Sequence, residues 1–375
     1  MAGRASATFK RRLWLGVMSG MFILFGYSGV MLFSCPYNSA YCEAVGMVQH
    51  SEQDANTQGK ELTEEEPRND RGPPAGPLVV LVLSSMPRGG STLLTELLSN
   101  IPGSVVMFEP LWLIEKTKCY KDLACVQRYL ADVFTCSFKE NFQTWLKGKG
   151  LFFQHFNGQA RKCLALKGEE KEACLKGMDL QALCAATPML VVKVVRARLA
   201  WLRNMLEDSL INLKVLHLTR DPRASLRSIA TFGWNSEPHS RCAELEDDLL
   251  TYEAARQAFP AKVLQVRYER LCLHPQQVIR DLFRFLQDDA APPAAVTAYV
   301  DQHMLSGASR KGTMSTFRNS TEEFQAWRFK INDKQLKVIE AEPACLRAIT
   351  HMGHATFGSE AAARNTSLPL ILNAT

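Results

Sequence analysis

Five short runs rich in valine and leucine constrain this chain more than anything else in it. They are LVVLVLS at 78–84, VVMFE at 105–109, MLVVKVV at 189–195, LKVLHLTR at 213–220 and AKVLQVRYE at 261–269. Each has the length and β-branched content of a strand, and the lack of regular polar alternation requires cover on both faces. Between them lie segments with apolar residues at helical spacing, such as STLLTELLSN (91–100), ASLRSIATF (224–232) and LEDDLLTYEAARQAF (245–259). Buried strands that alternate with helices predict an α/β domain, a parallel sheet with helices on both faces. One such domain, 78–360, is the economical reading, with a polar C-terminal tail at 361–375. In sheets of this kind ligands gather beyond the carboxyl ends of the strands. The residues that follow each run therefore carry the functional question.

Upstream of Leu78 the chain changes character. Arg4, Lys10, Arg11 and Arg12 precede an uncharged stretch from Leu13 to Phe33, about the ~20 residues a helix needs to cross the hydrocarbon core. Basic residues on that flank predict a cytoplasmic tail at 1–12 and a single-pass type II anchor at 13–33, with everything after it luminal. A cleaved signal peptide has a shorter apolar region and a small-x-small site, which this run lacks. Residues 34–77 are polar and then Pro/Gly-rich, the composition of a flexible stem.

The eleven cysteines fit an oxidising lumen. Cys119, Cys125, Cys136, Cys163, Cys174 and Cys184 form a group expected to hold disulfides, with connectivity open. No Cys-x-x-Cys pair occurs, so zinc is not expected. Cys35 and Cys42, beside the anchor, are placed to join two chains as a homodimer. Acceptor sequons for N-glycans stand at Asn319, Asn365 and Asn373, of which Asn365 is the best placed. The net charge of +6 suits an anionic ligand. No basic run interleaved with aromatics appears, which argues against nucleic acid.

The first run ends at Ser84 and Ser85, and MPRGGST leads into a helix. Backbone N–H groups at a helix start form an anion site. Gly89 and Gly90 let the backbone come close, and Ser91 and Thr92 add hydroxyls. A triphosphatase loop, G-x-x-x-x-G-K-[ST], would put lysine where Ser91 stands and glycine where Ser85 stands. An ordinary capped helix would use the same residues. Arg220 ends the fourth run, and Ser228 follows two turns into the next helix, a pairing suited to phosphate. Asp221 and Pro222 also make a plain helix start, compatible with that role. Two strand ends with two phosphate sites describe a doubly phosphorylated nucleotide.

RGGST, FEPLW, KVVR, LTRDPRASLRS, RYERL and STFRNS…WRFK occur in this order. Together they resemble the membrane-bound Golgi carbohydrate sulfotransferases, the branch that sulfates the 6-hydroxyl of galactose, N-acetylglucosamine or N-acetylgalactosamine. The resemblance runs from Leu78 to Phe357, and tail, anchor and stem match the family's layout. It implies a P-loop-like fold, 3′-phosphoadenosine 5′-phosphosulfate (PAPS) as sulfuryl donor, no metal, and a glycan or glycosaminoglycan acceptor. By resemblance Pro87, Arg88, Gly89, Gly90, Ser91 and Thr92 hold the 5′-phosphosulfate. Arg220 and Ser228 hold the 3′-phosphate, and Arg318 covers the nucleotide from a later loop. The family loop reads Arg-Ser-Gly-Ser, so Gly89 removes a hydroxyl donor.

Glu109 is the candidate base, and Arg88 would stabilise charge on the departing phosphate oxygen. Alternatively Glu109 pairs with a nearby arginine. Lys193 and Arg196 either grip acidic groups on the acceptor or form ion pairs with Glu109 or Asp221. Arg267 and Glu269 are expected as a structural ion pair, Trp327 as core or a sugar platform, and His217 as a satisfied interior residue. Rival readings are a nucleotide-dependent phosphotransferase and an inactive, membrane-anchored nucleotide- or glycan-binding protein.

Overall fold

All five apolar runs become strands. In the computed structural model, which describes residues 76–138, 152–153, 155–288, 291–306 and 315–372, they are β1 (Leu78–Ser84), β2 (Val105–Phe108), β3 (Met189–Val194), β4 (Leu213–Thr219) and β5 (Val263–Arg267). They form one parallel sheet of order β2-β3-β1-β4-β5. Register is continuous through the centre, with Val80 of β1 against Val191 of β3 on one side and Lys214 of β4 on the other. Every residue of β2 and β3, and all of β1 after Leu78, is buried. Successive side chains point to opposite faces, so unbroken burial means that both faces are covered, as expected. The second run ends as a strand at Phe108. Glu109 takes a left-handed φ of 55° and Pro110 opens a 3₁₀ turn.

The order has a consequence for ligands. The chain runs from β1 outward to β2 and back to β3, then crosses to β4 and β5 on the other side. Connections therefore diverge on either side of β1, and a crevice opens there. Helix α1 (Ser91–Leu98) follows β1 and buries Leu93, Leu94, Leu97 and Leu98. Helix α2 (Pro222–Ala230) follows β4, with Asp221 accepting from the Arg223 amide and proline in the first turn, as its sequence predicted. Helix α3 (Pro238–Ala258), α4 (Tyr268–Leu273) and α5 (Pro343–His351) complete the frame around the crevice.

Disulfides join Cys119 to Cys125, Cys136 to Cys184 and Cys163 to Cys174, which pairs the whole predicted group. A fourth, Cys242–Cys345, fastens α3 to α5, and Cys272 is free and buried. The stretch read as a polar tail is held as far as 372. The buried Arg328 guanidinium donates to the carbonyls of Ala363 (2.6 Å), Asn365 (2.7 Å) and Leu368 (3.0 Å), and Leu370 is buried. A buried guanidinium requires acceptors for its N–H groups, and this segment supplies three of them.

The expected tail 1–12, anchor 13–33 and stem as far as 75, with Cys35, Cys42 and the Asn373 sequon, lie outside the described residues. Among the described residues no helix is long and apolar enough to cross a membrane.

Candidate functional site

The carboxyl ends of the strands open into a cleft of about 1160 Å³. Its floor is the turn from β1 to α1. Arg88 sits there at φ 67° and Gly90 at φ 99°, the left-handed region that disfavours side chains with a Cβ. At Gly90 a Cβ would stand 2.4 Å from the Tyr268 ring, so glycine is required. Helix α1 then begins with no side-chain cap, which leaves its first amides to a ligand. Gly89 is buried and does not line the cleft. A Cβ there would meet Ser84 Oγ at 2.6 Å and the Met86 carbonyl at 3.2 Å. The serine of the resembled loop therefore has no room here unless Ser84 moves. The glycine answers to packing under the turn.

The end of β4 closes on this turn as its sequence predicted. Arg88 Nε donates to Ser228 Oγ (3.2 Å), and Arg220 Nη1 donates to the Arg88 carbonyl (3.1 Å). The Arg220 guanidinium lies 4.1 Å over the Tyr268 ring, and that of Arg88 lies 4.4 Å over Phe232, contacts favourable to a cation. Arg220 Nε is buried with no hydrogen-bond partner among the described residues. Burial, and then the charges of Arg220 and Arg318, lower the pKa of Arg88. Cations held this close are stabilised by an anion between them.

Arg318 reaches the site because its segment is fastened to α1. Thr316 Oγ1 donates to Glu96, which also accepts from the Tyr299 hydroxyl (3.1 Å). Arg318 itself pairs with Glu323 at 2.6 Å, and its amide donates to the His303 carbonyl.

On the β2–β3 side the alternatives for Glu109 resolve into one cluster. Its carboxylate pairs with Lys193 Nζ (2.6 Å) and with Arg196, and Arg196 also pairs with Glu115 (3.0 Å). Glu109 and Lys193 are buried, and Lys193 lies 4.1 Å over the Phe108 ring. Asp221 is occupied elsewhere. Its carboxylate takes Nε (3.0 Å) and Nη2 (2.8 Å) of Arg223, whose Nη1 reaches Glu340 (2.6 Å) and the Ala355 carbonyl (2.7 Å). Burial alone would raise the Asp221 pKa. The charges of Arg223 and His354 outweigh it and hold the carboxyl below its ordinary range.

Arg267 and Glu269 do not meet as expected. Arg267 donates to the Met352 carbonyl and Glu269 accepts from the Asp221 amide. Trp327 is buried against Phe357 under Arg223, on the cleft wall. His217 is interior as expected but only half satisfied: its Nε2 stands 2.6 Å from Ser85 Oγ, while its buried Nδ1 has no hydrogen-bond partner among the described residues.

Eleven of the twelve residues assigned from sequence line this cleft, all but Gly89. Others went unrecognised. Arg198 lines the cleft and reaches the Ser85 carbonyl (3.1 Å), Asp248 (3.1 Å) and Glu244 (2.5 Å). Its signal was its place two residues after Arg196, where both follow a strand end. Arg227, Arg241 and Lys330 also line the cleft but come from helices and loops whose positions no local pattern gives. Among the described lining residues nine are basic and four are carboxylates, the balance of a site for an anion.

The chain is similar to several known proteins. A human protein named carbohydrate sulfotransferase 3 is 28% identical over 346 residues, spanning 79% of this chain and 71% of that one. Mouse carbohydrate sulfotransferase 5 is 28% identical over 338 residues, spanning 78% of this chain and 85% of the other. Among solved structures, a mouse sulfotransferase complexed with PAP aligns with a TM-score of 0.37 at 12% identity, covering 76% of this chain and 87% of that one. The sequence model described as "Sulfotransferase family" matches residues 80–291, a span that begins inside β1 and takes in all five strand ends around the cleft. The chain belongs to the sulfotransferase family.

Proposed function

We propose that the chain moves a sulfuryl group from PAPS to a sugar hydroxyl of a glycan or proteoglycan, with the 6-hydroxyl of N-acetylglucosamine, galactose or N-acetylgalactosamine as the expected position. The observation that carries this is the meeting of Arg88, Arg220 and Arg318 beside the uncapped start of α1. The residues fit a nucleotide with two phosphate groups, since the buried Nε of Arg220 lacks a partner and two strand ends offer separate anion sites. Relatives named carbohydrate sulfotransferase support a sugar as acceptor.

When bound, PAPS supplies a sulfuryl group already activated on a phosphate oxygen. The backbone N–H groups of residues 88–92 and the Arg88 guanidinium bind and orient that end, with Pro87, which has no N–H, shaping the turn. Arg88 faces the charge that grows on the departing phosphate oxygen. Arg220 and Ser228 hold the 3′-phosphate, and Arg318 covers the nucleotide. Glu109 takes the proton of the sugar hydroxyl. Its two ion pairs favour its ionised form and weaken it as a base, so proton uptake at Glu109 accompanies a shift of Lys193 or Arg196. These two cations thus tune the base. The layout of cytoplasmic tail, anchor 13–33, stem and luminal domain 78–360 belongs to the same reading, as does residence in the Golgi membrane. Asn365, exposed on the surface, is the expected glycan site.

The test is the full-length protein in detergent, incubated with sulfur-35-labelled PAPS and a panel of desulfated keratan, chondroitin and N-acetylglucosamine-terminated oligosaccharides. Labelled glycan supports the reading. Failure to bind PAPS or its product PAP overturns it, and PAP binding with no labelled glycan favours a binding protein that kept the fold.

A further inference from the structure

The order of the sheet divides the cleft into two halves that differ in charge. On the β4–β5 side, Arg88, Arg220, Arg227, Arg318 and Lys330 line the wall with Glu323 as the carboxylate among them. Among the described lining residues that half has five cations to one carboxylate, and it suits a nucleotide with two anionic groups. On the β2–β3 side every described cation of the wall already has a carboxylate. Lys193 and Arg196 pair with Glu109, and Arg196 also with Glu115. Arg198 pairs with Asp248 (3.1 Å) and Glu244 (2.5 Å), and Arg241 with Glu244 (3.2 Å). Four cations meet four carboxylates among the described residues, and no surplus is left.

We infer that the β2–β3 half of the cleft is the acceptor subsite and that it takes an uncharged sugar unit, not a uronate or an already sulfated one. This rests on the sulfotransferase reading and adds the class of acceptor to it. An anionic sugar would have to compete for guanidinium groups that carboxylates already occupy, and displacing one leaves a partly buried carboxylate unpaired. A neutral sugar meets no such cost. Its hydroxyls donate to the remaining lone pairs of Glu115 and Glu244 and accept from the remaining N–H groups of Arg198 and Arg241.

The same half supplies apolar surface. Tyr120 and Trp201 stand edge to face with ring centroids 6.4 Å apart. Both are fixed in place: the Tyr120 hydroxyl donates to the Arg196 carbonyl (2.8 Å), and Gln127 Nε2 donates to the Trp201 carbonyl (2.9 Å). Paired polar groups beside a rigid aromatic wall recognise a polar, uncharged ligand that has one apolar face.

The experiment measures oligosaccharide binding to the full-length protein saturated with PAP, by calorimetry. The probes are N-acetyllactosamine, which is neutral, and a desulfated chondroitin tetrasaccharide, which carries uronates. The neutral probe is expected to bind at least about tenfold tighter, with a Kd that does not change between low and physiological salt. Trp201→Ala should weaken it about tenfold and leave the Kd for PAP unchanged. Glu115→Gln and Glu244→Gln, which release guanidinium groups, should raise affinity for the uronate probe. Equal or tighter binding of the uronate probe, weakened by salt, overturns the inference. So does binding of neither probe, or a Trp201→Ala protein with unchanged affinity for the neutral one. If PAP itself does not bind, the sulfotransferase reading fails first and the subsite falls with it, an outcome separable from the others.

Discussion

Arg88 carries two burdens at once: a left-handed backbone and a guanidinium packed against Phe232, Ser228 and the charge of Arg220. A strained backbone of this kind persists only where its neighbours hold it. Arg88→Ala and Arg220→Ala are each expected to abolish PAP binding in calorimetry. Glu109→Gln should keep PAP binding and lower turnover about 10²–10⁴-fold. Retained turnover in that variant would remove Glu109 from the role of base. Gly90→Ala is expected to weaken PAP binding as well, because a Cβ 2.4 Å from the Tyr268 ring must displace the surface on which Arg220 rests. At Gly89 the effect is different. Gly89→Ser should lower stability by about 1–3 kcal/mol through overpacking against Ser84, read as a fall in Tm. An unchanged Tm would mean that Ser84 yields easily.

At the level of elements, helix α2 is fixed by a network its own sequence does not contain. Asp221 caps it and clamps Arg223, and Arg223 reaches across to Glu340 and the Ala355 carbonyl. Both members of the Asp221–Arg223 pair are fully buried. Arg223→Ala leaves those carboxylates buried without their cation, which costs about 3–5 kcal/mol. Urea unfolding should show that loss, with PAP binding intact in whatever fraction folds. A loss below about 1 kcal/mol would place the pair among ion pairs of little net effect. The Cys242–Cys345 bridge between α3 and α5 closes a separation of 103 residues. Replacing both with serine should cost about 4–5 kcal/mol on the loop-entropy estimate, measured the same way.

For the molecule as a whole, acid is expected to act through a fully buried histidine on β4, bonded to Ser85. His217 is fully buried, and burial first, then Arg198, pushes its pKa down to about 3. The unfolded chain takes up that proton at about 6.5. The stability that neutral His217 contributes is therefore complete above about pH 6.5 and declines as pH falls toward about 3, by up to about 1.4 kcal/mol per pH unit. Urea titrations between neutral pH and about pH 5 should follow that slope, and His217→Asn should flatten it. An equal slope in the variant assigns the acid sensitivity to other groups. Much of this molecule is legible in its sequence. The five strands were visible because burial on both faces removes polar alternation. The strand ends that line the cleft were visible because each follows its strand directly in the chain: Arg88 after β1, Arg220 after β4, Glu109 after β2. The packing at Gly89 was not legible, since it comes from the approach of Ser84, and nothing in the local pattern reports that contact. What the sequence determined by itself was the parallel sheet and the residues at its carboxyl edge, because both follow from local alternation and short-range order. Only the tertiary structure decided which charges pair with which. Glu109 with Lys193 and Arg196, Asp221 with Arg223, and Arg198 with Glu244 and Asp248 meet through the strand order β2-β3-β1-β4-β5 and the helices packed on it. Partner choice among buried charges is set by distance in space, which separation along the chain does not encode.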